Sequence, residues 1–128
     1  MDKRKCEKVL KAWQDILDLN HWDLELHINE EENWDRYGQC NCVQGQKRAI
    51  ITIWNGLDFK KAEDTIVHEL LHVLLDPLTS LLEQWQAQVP DDQKKLYGEQ
   101  FEQSLEQTVY RLTRILLSTK EYSAVFPF

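Results

Sequence analysis

The run from Thr65 to Leu75, TIVHELLHVLL, constrains this chain more than any other segment. It contains no Gly or Pro, and Pro77 is the first breaker after it, so the pattern predicts a helix. Apolar residues lie on every side of that helix, which is the pattern of a helix buried in a core. His68, Glu69 and His72 interrupt the pattern. Burying such groups is costly unless they are paired or bind a metal. Residues four apart share one helix face, so both imidazoles can reach one metal ion. Glu69 stands beside them as a candidate general base, in the H-E-x-x-H arrangement. Two neutral imidazoles with an open position suit Zn2+, which lowers the pKa of its bound water to about 7.

The flanking segments predict what this helix packs on. Cys6, Val9, Leu10, Trp13, Ile16 and Leu17 recur at helical spacing, giving an amphipathic helix over 3–18 that ends near Asn20. Trp22, Leu24, Leu26 and Ile28 alternate with polar residues, the signature of a strand with one buried face. An acidic loop over 29–35 leads to a second strand from Tyr37 to Val43. Gly45-Gln-Lys marks a turn. Arg48 to Trp54 is β-branched and apolar on both faces, a third strand ended by Asn55-Gly56. Asp58 is placed to cap the motif helix. Beyond Pro77, a helix over 78–88 carries Leu78, Leu81, Leu82, Trp85 and Val89, and Pro90 stops it. A long last helix over 92–118 shows the stripe Phe101, Leu105, Val109, Leu112 and Leu116. The aromatic tail from Tyr122 to Phe128 packs back on the body or frays. No repeat or linker divides the chain, so residues 1–128 read as one compact α+β domain.

Composition narrows the function. A net charge of −7 opposes non-specific nucleic-acid binding and docking on anionic membranes. No stretch reaches the ~18 apolar residues of a membrane span, and the charged start MDKRKCEK lacks the apolar core of a signal peptide. A cytoplasmic protein is the expectation. Cys6, Cys40 and Cys42 are odd in number and do not read as a disulfide framework. Cys40-Asn41-Cys42 lacks the C-x-x-C spacing of zinc pairs, but on a strand both thiols point to one face and could hold a soft metal with a third ligand.

A catalytic zinc site needs a third protein ligand. No histidine follows His72, and Leu75 and Leu78 stand where H-E-x-x-H-x-x-G-x-x-H needs Gly and His. His21 and His27 lie upstream, in the region of the first strand. Asp76 stands one helical turn after His72, on the same face, where a capping or hydrogen-bonding role before Pro77 is its blander use. Glu102 and Glu106 are four apart on the flank of the last helix. Spacing leaves these candidates open.

A helix-borne H-E-x-x-H followed by a second helix with a Glu ligand resembles the gluzincin branch of zinc peptidases. The short chain, the preceding sheet and the segment HELLHVLL are similar to minigluzincins and to compact metallopeptidase-like proteins of phage and prophage genomes. In that register the ligand Glu is followed by small or apolar residues at the third and sixth places. Glu106 has Val109 and Leu112 there, whereas Glu102 has Leu105 and Thr108. The resemblance therefore implies Glu106 as third ligand. It departs at Tyr110, where many gluzincins carry an Asp or Asn that orients a ligand His.

The resemblance implies a zincin-like peptidase. His68, His72 and Glu106 would hold Zn2+, and Glu69 would act as base on a metal-activated water. The substrate would be a peptide or protein, paired as an extended strand with 48–54 as the sheet edge. Tyr97, Tyr110 and Tyr122 are candidate oxyanion donors that the sequence does not rank. The alternative is a non-catalytic zinc-binding module, such as a phage accessory protein that docks on a host factor. A nuclease or deaminase fits less well, because the H-x-E…C-x-x-C pattern and a basic stripe are both absent.

Overall fold

The computed structural model describes residues 1–43 and 45–120, with the backbone alone at Lys120. The tail from Tyr122 lies outside the described residues. Among the described residues the chain is α+β, with four helices and a three-stranded mixed sheet. It divides into two compact units, one from Met1 to Leu74 and one that begins at Leu75.

The first unit opens with α1, Lys3–Ile16. The Asp2 carboxylate caps it by accepting from the Lys5 amide at 3.2 Å. Its apolar stripe buries Cys6, Val9, Leu10 and Trp13, as the spacing predicts, together with Gln14. The Gln14 amide donates to the carbonyls of Leu19 and Trp22, both at 3.0 Å, and so ties the turn after the helix. Asp18 makes that turn at φ 57, in the left-handed region that Asp tolerates better than most residues.

Three strands follow: β1, Asp23–Asn29; β2, Gly38–Val43; and β3, Arg48–Trp54. Their spatial order is β1-β3-β2, with β1 parallel and β2 antiparallel to β3. β3 is therefore the inner strand, and its expected role as the substrate-pairing edge is incorrect. The physical reason is its composition: a strand apolar on both faces belongs inside a sheet. The edges are β1 and β2.

Register sorts the two sheet faces. Leu26 pairs with Ile51, and Ile51 with Cys40; Ile53 pairs with Ile28 and Gly38. These residues share one face, on which Leu26, Ala49, Ile51 and Ile53 are buried. The other face carries Asp23, Glu25, His27 and Arg48, which are exposed.

α2, Phe59–Leu74, covers β2 and β3 and packs beside α1. Asp58 caps it as expected, accepting from the Lys61 amide at 2.8 Å. Ile66, Val67, Leu70, Leu71 and Val73 are buried, as an all-round apolar helix requires.

In the second unit, α3 spans Asp76–Gln86 and α4 spans Asp91–Lys120. α3 starts two residues earlier than the pattern suggests, because Pro77 fits the first helical turn, where its missing N–H costs nothing. The stripe of α4 is reproduced: Val109 is buried and Phe101, Leu105, Leu112 and Leu116 are half-buried. Thr113 is buried too, its hydroxyl donating to the Val109 carbonyl at 2.8 Å. No single helix among the described residues is long and apolar enough to cross a membrane.

Candidate metal centre

The site is built on α2. His68 and His72, one turn apart, are half-buried with ring centroids 5.1 Å apart. Glu69, the residue after His68, packs its Cγ against β2 and is only 7% exposed. The glycine at position 38 makes this possible. A Cβ there would lie 2.4 Å from Cγ2 of Thr65 and 3.4 Å from Cγ of Glu69. Thr65 and Glu69 are four apart and share the face that meets β2. Gly38 thus lets Thr65 and Glu69 approach β2 closely, which the sequence reading missed. Its signal is a glycine at the start of a strand, a mark of close backbone approach.

A second buried carboxylate was also missed. Glu63 is 3% exposed, and its Oε2 accepts from the Trp13 indole N–H at 3.0 Å. It falls at a core position of the α2 repeat with Ile66, Val67 and Leu70, which marks a carboxylate that must be buried. This bond ties α1 to α2.

His68 and His72 stand one turn apart on α2 and could reach one metal ion, while Glu106, the third ligand the resemblance implies, lies on α4 in the second unit. Glu102 lies on the same helix, four residues before Glu106. Two imidazole nitrogens and a carboxylate oxygen are the donor set of catalytic zinc sites such as His2Glu.

The other candidates stand elsewhere. His21 is exposed in the turn before β1. His27 lies on the sheet face away from α2, with Nε2 3.4 Å from the Glu25 carboxylate. Asp76 does not share the histidine face of α2, because that helix ends at Leu74 and Asp76 begins α3. Tyr97 stacks edge-on against Trp85 at 6.3 Å, and Tyr110 is 61% exposed on α4. Tyr122 lies outside the described residues. Cys40 and Cys42 are half-buried on the α2-facing side of β2, with Sγ atoms 3.8 Å apart.

No family model matches the chain, and no match to a curated protein or a solved structure was found.

Proposed function

We propose that this chain is a small zinc-dependent peptidase of the gluzincin type, with a zincin-like arrangement of its helices and sheet. The observation that carries the reading is the α2 constellation: a buried carboxylate, Glu69, between two half-buried imidazoles one turn apart. A helix core tolerates three such groups together when they share a task.

In this reading His68, His72 and Glu106 hold the ion. When bound, Zn2+ supplies Lewis acidity, polarising a peptide carbonyl and making water a stronger acid. The Glu69 carboxylate takes the proton of the attacking water and delivers it to the leaving amine nitrogen. Burial beside Gly38 fixes that carboxylate and limits its access to bulk water. β2 is the sheet edge next to Glu69, so an extended substrate adds to β2 rather than to β3. The thiols of Cys6, Cys40 and Cys42 suit a reducing compartment such as the cytoplasm.

A second reading draws on α3. Leu78, Leu81 and Trp85 are all more than half exposed along it, which favours a non-catalytic zinc-binding module that docks on another protein.

The deciding experiment compares wild type with Glu69→Gln on a broad peptide library at matched zinc loading. Gln cannot accept the proton, so cleavage should be lost while zinc content and folding stay intact. Unchanged cleavage by the variant would refute the mechanism. A wild type that binds zinc yet cleaves nothing would favour the docking module.

A further inference from the structure

The thiol pair on β2 has no part in the peptidase reading. Cys40 and Cys42 are two apart on a strand, so their side chains leave the same face. Their Sγ atoms are 3.8 Å apart, and both residues are half-buried rather than sealed in the core. Cys6 is different: it is 2% exposed in the core face of α1.

Three fates are open to such a pair. A disulfide is disfavoured, because residues two apart on a strand have Cα atoms roughly 6.5 Å apart, near the upper limit for that bond. Packing as small hydrophobes, with one S–H donating weakly to the other sulfur at 3.8 Å, is the second fate, and it leaves both thiols in place for a metal. Joint ligation of one ion explains the spacing. Two metal–sulfur bonds of about 2.3 Å span about 3.8 Å at a tetrahedral angle and about 4.0 Å at a trigonal one.

Thiolates select soft ions. A structural zinc needs four protein ligands, and this pair supplies two. Cu(I) is satisfied by fewer ligands and prefers sulfur. We propose that Cys40 and Cys42 form a second metal site, separate from His68 and His72, that takes a soft d10 ion of the Cu(I) class as a dithiolate. On binding, two S–H bonds break, two protons pass to solvent and two metal–sulfur bonds form. No electron is transferred. The outer side of the ion is left to solvent or a small-molecule thiol, since β2 is an edge strand.

The test is a Cu(I) titration of the reduced full chain against a chromophoric Cu(I) chelator, with Zn2+ titrated in parallel. Wild type should retain about one Cu(I), with a near-ultraviolet thiolate-to-metal absorption band. Cys40→Ser and Cys42→Ser should each weaken Cu(I) binding by about 10-fold or more, since losing a direct ligand should cost at least what outer-shell losses cost. Cys6→Ser should leave it unchanged. The His68→Ala/His72→Ala variant should keep Cu(I) binding while losing Zn2+, and this separates the proposal from the peptidase reading. Circular dichroism checks that the serine variants fold. The proposal is overturned if wild type shows no absorption band and yields its Cu(I) to the chelator. It is equally overturned if folded Cys40→Ser/Cys42→Ser binds Cu(I) like wild type, or if the histidine variant loses both metals together.

Discussion

Gly38 on β2 lies directly against the Glu69 side chain on α2, close enough that an added Cβ would stand 3.4 Å from Cγ of Glu69. The same Cβ would lie 2.4 Å from Cγ2 of Thr65. Thr65 cannot easily turn away, because its hydroxyl donates to the Lys61 carbonyl at 2.8 Å and so fixes its rotamer. Gly38→Ala should therefore push α2 off the sheet and destabilise the protein by about 1–3 kcal/mol, as overpacking does. Thr65→Ser keeps the hydroxyl and removes Cγ2, so Gly38→Ala/Thr65→Ser should recover part of the loss. Urea unfolding of the four proteins in that cycle measures it. Additive effects would show that the two residues do not press on one another.

Trp13 and Glu63 offer a second stability test. The indole N–H donates to a buried carboxylate, and charge-assisted bonds of this kind are among the stronger ones. Trp13→Phe removes that donor and leaves a small void, at an expected cost of about 1–3 kcal/mol. Glu63→Gln keeps an oxygen acceptor and should cost less. Denaturant midpoints rank the two variants. A Trp13→Phe protein as stable as wild type would show that Glu63 does not depend on the indole.

Cys6 should be the slow thiol. Burial first, and the Asp2 carboxylate second, raise its pKa above the ordinary 9.0. At mildly alkaline pH it then holds less thiolate than an exposed cysteine, and reagents reach it poorly. Its alkylation in the native protein should lag that of Cys40 and Cys42 by about 10-fold or more, read by peptide mass spectrometry. The sign for stability follows from the same shift. The contribution of Cys6 is intact below 9.0 and declines above it, where the unfolded thiol ionises first. Equal labelling of all three thiols would contradict this burial.

Much of the fold is legible in local pattern because it is locally determined. The alternation of Leu24, Leu26 and Ile28, the Asp58 cap and the α4 stripe through Val109 each follow from a period or a cap within a few residues. Strand order is not local. The placement of β3 at an edge came from resemblance, whereas Ile50, Ile51, Thr52 and Ile53 already marked a strand covered on both sides. Among site residues, His68, Glu69 and His72 are legible because one helix turn sets them side by side. Gly38 was not, since its importance depends on which helix crosses β2. Gln14 and Thr113 escaped because a polar residue is buried only when a specific carbonyl awaits it.

The last prediction concerns the metal. One zinc per chain is expected, and His68→Ala/His72→Ala should abolish its binding, because the pair supplies both nitrogen donors. Glu106→Gln should weaken zinc by roughly 10-fold or more, since a direct ligand should matter at least as much as the outer-shell partners that cost 10–100-fold. Glu102→Gln should do far less. Both carboxylates are exposed on α4, so a difference between them cannot come from burial. It must come from ligation, which is why the pair is informative. Competition against a fluorescent zinc chelator gives the ranking directly. If Glu102→Gln proves the more damaging, the third ligand is Glu102 and the register argument from Val109 and Leu112 fails. If neither matters, the two histidines hold zinc without α4, and the His2Glu reading falls with it.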